Sequence, residues 1–245
     1  MSTKRKSAAK LLFERDLKEN SKSMVMWVFA AIMIISAIAI AICMTGVAST
    51  MGDLSGENDR NAWSIILGNV MIMYSFVPQI ISIPLFSTKP LTYEQANGVV
   101  MSLLATEISP KQIWRGKGLA IFMPGCVISY ICMLILTPAF MSIVKLPVTF
   151  LLCAFIIMPV ATLLLSMITI QIALIGSVEK SISPAYILGF LFMALFPIGS
   201  ITGMYVPQSI AFCLLCIVVL FLFFVAERLL AAKTTIEQII IARAR

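Results

Sequence analysis

What most constrains this chain is where it carries no charge. Thirty consecutive residues separate Lys22 from Asp53 without an Asp, Glu, Lys or Arg, and the next such stretches are 28 (Arg60 to Lys89), 27 (Lys117 to Lys145), 33 (Lys145 to Glu179) and 46 residues (Lys180 to Glu227). A helix needs roughly 20 mostly apolar residues to cross a bilayer core. The first four stretches therefore hold one crossing each. The fifth holds two, divided near Tyr205-Val206-Pro207, where Gly203 and Pro207 break the helical pattern. The spacing predicts six spans, at 24–45, 63–87, 119–140, 148–175, 185–204 and 208–226. Backbone inside lipid must satisfy its own hydrogen bonds, so the expected fold class is an all-α polytopic membrane protein. Its layout is an interfacial segment 1–23, a transmembrane domain 24–226 and a tail 227–245.

Composition agrees. Apolar residues make up 60% of the chain and charged ones 12%, against about 45–50% and 25% in soluble domains. A water-soluble enzyme, a disordered chain and a disulfide scaffold are excluded. Of the 18 Lys and Arg, all but Arg60 and Lys145 fall on one side of the six-span layout. The positive-inside rule then places both termini in the cytoplasm, at the cell membrane. The net charge of +7 reads as a topology signal, and no nucleic-acid partner is expected. The first apolar run is too long for the core of a cleaved leader, so span 1 is expected to stay.

The predicted spans carry no ionisable acid or base, and the chain has no His. Proton relays and most intramembrane hydrolases need such groups. The six Cys fall within spans and read as buried thiols, with Cys213-x-x-Cys216 too isolated for a metal site. Gly116-Lys117-Gly118 lacks the other residues of a phosphate-binding loop. No catalytic residue, metal or cofactor of its own is expected.

The internal segment 88–118 carries the most information. Pro90 is expected to end the preceding element, and Thr92 with Gln95 to cap a new helix near Tyr93. Ser109, Pro110 and Gln112 form a second N-terminal signature leading into span 3, with Trp114 at the interface. Upstream, residues 7–22 repeat Ala9, Phe13 and Leu17 every fourth position beside Leu12, an amphipathic helix at the membrane surface.

The run from Tyr93 to Lys117 resembles the signature of type-2 ABC (ATP-binding cassette) exporter permeases. Glu94, Gly98, Leu103, Leu104, Ile108, Ser109, Gly116 and Lys117 match that pattern; Gln95 and Glu107 depart from it. The resemblance implies one membrane half of an ATP-driven exporter, with a coupling-helix hairpin between spans 2 and 3. It implies a second permease copy or paralogue, and two copies of a separate subunit that binds ATP and Mg. It assigns Glu94, Gly98, Leu103, Leu104, Ile108 and Ser109 to the ATPase-coupling surface, with Glu179 and Lys180 as a second contact. The segment 1–23 becomes the connecting helix.

Span 2 places Gly68, Ser75, Gln79 and Ser82 on one face. That face either glues helices together or lines a substrate path; on the second view, Leu at Gln79 and Ser82 lowers transport and spares assembly. Gly199 and Gly203 form a small-residue packing stripe in span 5. A route without charges favours an apolar or amphipathic cargo: a peptide, a drug or a lipid-like compound. Two other readings stay open, a membrane-embedded lipid-modifying enzyme and a non-transporting scaffold or sensor subunit.

Overall fold

The computed structural model describes residues 8–50, 56–105, 108–176, 187, 210–235 and 239. Among them every regular element is helical. In chain order these are α1 (Ala8–Lys22), α2 (Met24–Thr50), α3 (Glu57–Ala96), α4 (Val99–Ala105), α5 (Pro110–Met141), α6 (Val148–Ile175) and α7 (Ile210–Lys233). Four of them, in α2, α3, α5 and α6, are long and apolar enough to cross a membrane. They coincide with the first four expected spans, and α7 covers the sixth. The fifth expected span, with Gly199 and Gly203, lies outside the described residues, as do Glu179 and Lys180.

The helices outrun the apolar stretches that announced them. With 40 residues at 1.5 Å each, α3 is about 60 Å long, twice a bilayer core of about 30 Å. Pro90 does not end it, and the cap expected at Thr92 does not form. Proline fixes a φ that suits a helix and removes one hydrogen bond. Here Phe86 and Leu91, each 4% exposed, hold the helix together on either side.

Helix α5 is the centre of the bundle, packing against α1, α2, α3 and α6. One core joins Leu12, Ile83, Phe86, Ile113, Trp114 and Ile239 at the α1 end. Trp114 is thus an interior residue, 2% exposed, with the Arg115 guanidinium 5.2 Å above its ring; it is not the interfacial residue expected from sequence. A second core joins α2, α3 and α5 through Ala30, Ala37, Leu67, Met71, Ile128 and Phe140. Cysteines 126, 132 and 153 are buried free thiols as expected, whereas Cys43 is exposed on α2.

Helix α1 packs against the bundle through a different row from its Ala9–Phe13–Leu17 side chains, which are half-buried. Leu12 and Asn20 are the residues it buries, and Asn20 donates to the Ala120 carbonyl at 3.2 Å. The crossing point is Gly116: a Cβ there would lie 2.7 Å from the Ala9 carbonyl oxygen. Only glycine lets the two backbones approach so closely.

Candidate functional site

Two polar constellations lie inside this apolar bundle. The first ties α1 to the ends of α3 and α5. The Lys117 ammonium, its side chain 3% exposed, sits 3.1 Å from Asp16 Oδ2 and 2.6 Å from Glu94 Oε2. It also donates to Glu94 Oε1 at 2.7 Å. Arg15 donates to the same Glu94 oxygen and, through Nε, to Asp16 Oδ1, each at 2.8 Å. Two cations and two carboxylates therefore close a neutral network. A buried charge without a partner is costly, and deleting one partner is costlier than deleting all. Partial burial disfavours the Arg15 cation, but Asp16 and then Glu94 outweigh that and raise its pKa above the ordinary value.

Beyond this network the chain turns. Asn97 and Gly98 join α3 to α4, and Gly98 has φ +67°, a left-handed conformation that explains why glycine stands there. Helix α5 opens at Ser109, whose backbone N–H donates to Gln112 Oε1 at 3.3 Å; the predicted second cap is present. Leu103 and Ile108 pack against the core. The side chain of Leu104 lies outside the described residues. The outward surface of the hairpin consists of Thr92, Tyr93, Ala96, Asn97, Ser102, Ala105 and Ser109, all exposed.

Glu94 belongs to the network and not to that outward surface: it is 8% exposed, with its carboxylate turned toward Lys117. Sequence reasoning found Glu94 and Lys117 as motif positions without seeing that they pair. It passed over Asp16 altogether. A usable signal existed, since Leu12, Asp16 and Asn20 recur every fourth residue and share one side of α1.

The second constellation lies among α3, α5 and α6. Ser75, Gln79 and Ser82 are fully buried. Gln79 donates to Ser129 Oγ at 3.2 Å and accepts a hydrogen bond from the Thr162 hydroxyl. Ser82 bonds to the Gln79 carbonyl at 2.7 Å. The Ser82 side chain lies against Gly125, and the ring of Phe150 fills the notch left by Gly68. In this structure the polar face formed by Ser75, Gln79 and Ser82 is closed by its neighbours, and each of the three side chains is hydrogen-bonded.

Part of this constellation repairs a local break in α6. Residues Cys153–Ile157 form a π-helical segment just before Pro159. Pro159 has no N–H for the carbonyl four residues earlier, which is that of Phe155. The Tyr130 hydroxyl donates to that carbonyl at 2.8 Å, and the Ser75 hydroxyl donates to the carbonyl of Ala154. Hydroxyls from neighbouring helices thus satisfy backbone acceptors that lipid could not.

Among the described residues no group of three or more His, Cys, Asp or Glu could hold a metal ion. Scans of the chain against family models, curated proteins and solved structures return no match.

Proposed function

We propose that this chain is one membrane half of an ATP-driven exporter of the type-2 ABC kind. On this reading it has six spans and cytoplasmic termini. It pairs with a second permease copy or paralogue and moves an apolar or amphipathic cargo outward. ATP hydrolysis takes place on a separate subunit.

One observation supports this reading above the others. Helix α3 continues far past its apolar stretch and turns at Gly98, and its end is fixed to α1 and α5 through Glu94 and Lys117. A soluble partner pressing on Tyr93, 70% exposed, or Asn97 meets a lever already fastened to two other helices. Coupling of this kind needs stiffness, and a charge network buried with Lys117 at its centre provides it.

The test is copurification of the full chain with a protein that carries a phosphate-binding loop, followed by hydrolysis assays on the complex. Tyr93→Ala with Asn97→Ala should lower complex-stimulated hydrolysis at least about tenfold, the scale of a lost interface anchor, and leave the chain folded. Uphill flux of a lipophilic dye driven by the purified chain alone would overturn the proposal.

A further inference from the structure

We propose that the outward stripe of α1, together with the α1–α2 elbow, is a docking surface for anionic phospholipid headgroups. This goes beyond the transport reading and needs no ATPase.

The stripe follows from helical spacing. Leu11, Arg15, Lys18 and Lys22 are separated by four, three and four residues, which places them on one side of α1. All four are exposed. The acidic residues of the same helix engage cations other than Lys18 and Lys22. Glu14 is 3.9 Å from Lys10, Asp16 is held by Lys117 and Arg15, and the exposed Glu19, beside the cleft lined by Asn20, Phe86 and Leu91, acts on Arg15. Lys18 and Lys22 make no ion pair among the described residues.

The depth of the stripe identifies its occupant. Helix α2 begins at Met24, two residues after Lys22, and only 11% of its most apolar stretch is buried. Met24 is 79% exposed and Trp27 63%. The Trp27 indole N–H donates to the Ser21 carbonyl at 3.0 Å, which pins an exposed aromatic ring beside the lysines. A tryptophan and lysines at the point where a chain enters its apolar phase mark headgroup depth. Two free ammonium groups there favour phosphatidylglycerol-like over zwitterionic lipid by up to about fivefold each.

The full chain in mixed phosphatidylcholine and phosphatidylglycerol vesicles provides the test. Trp27 fluorescence is isolated by subtracting a Trp27→Phe variant, and quenching by brominated phosphatidylglycerol is compared with quenching by brominated phosphatidylcholine. The expected result is preferential quenching by the anionic lipid, lost in Lys18→Gln/Lys22→Gln and kept in Lys111→Gln/Arg115→Gln, two exposed cations off the stripe. Equal quenching by both lipids in the wild type overturns the proposal, as does a preference that survives the α1 double variant or vanishes equally in the α5 one. Should the α1 variant fail to assemble, a wild-type preference that is unchanged at 1 M salt, where the screening length is about 3 Å, overturns it as well.

Discussion

Replacing Lys117 with methionine tests the charge network most directly. Methionine keeps most of the length and volume of lysine and removes the ammonium that lies within 3.1 Å of Asp16 and 2.6 Å of Glu94. Two carboxylates then share one site with only Arg15 to balance them. Deleting one partner of a buried pair costs roughly 3–5 kcal/mol. Arg15 stays 2.8 Å from Glu94 and, although water weakens its hold, still offsets part of the stranded charge. The expected net loss is therefore near the lower bound, about 3 kcal/mol. For a chain of this length that corresponds to a fall of about 6–12 °C in the unfolding midpoint, measurable by thermal unfolding in a mild detergent. The triple variant Asp16→Asn/Glu94→Gln/Lys117→Met removes the stranded carboxylates, leaves only the 42% exposed Arg15 charged, and should recover most of the loss. A spin-label distance between α1 and α5 should lengthen in Lys117→Met and return in the triple variant. Melting of Lys117→Met within about 2 °C of wild type, or no lower than the triple variant, would refute the role given to the network.

The buried seam in span 2 gives two further expectations. Gln79→Leu strands no donor, because Thr162 still bonds to the Met158 carbonyl at 2.9 Å and Ser129 to the Ser75 carbonyl at 2.8 Å; its cost in thermal unfolding should stay below about 1.5 kcal/mol. Ser82→Leu drives a larger side chain against Gly125 and should lower assembly yield in size-exclusion chromatography, where overpacking costs about 1–3 kcal/mol. This replaces the expectation that both substitutions spare assembly. Tyr130→Phe uncovers the Phe155 carbonyl inside the π segment; it should cost about 1–3 kcal/mol and speed amide exchange in residues 153–158.

Comparison of particular elements shows what was legible. The starts of α2 and α6 fell where the charge-free stretches predicted, because an apolar run marks what lipid will hold. The far end of α3 was missed for the same reason: hydropathy reports burial in lipid and does not see a helix continue on hydrogen bonds and packing past Pro90. Ser109 was read correctly from local chemistry. Thr92 offered the same chemistry inside a helix that packing had already decided, and tertiary contacts overrode it.

Sequence alone determined that the chain is helical and apolar enough for a membrane, and that a helix opens at Ser109. Those are properties of single residues and short windows. Only the tertiary structure decided that Lys117 would take Asp16 from one helix and Glu94 from another, or that Ser82 would lie against Gly125 and Gly68 against Phe150. Such pairings depend on which side of α1 meets Gly116 and on how closely three helices approach. No local periodicity encodes a distance between residues a hundred positions apart.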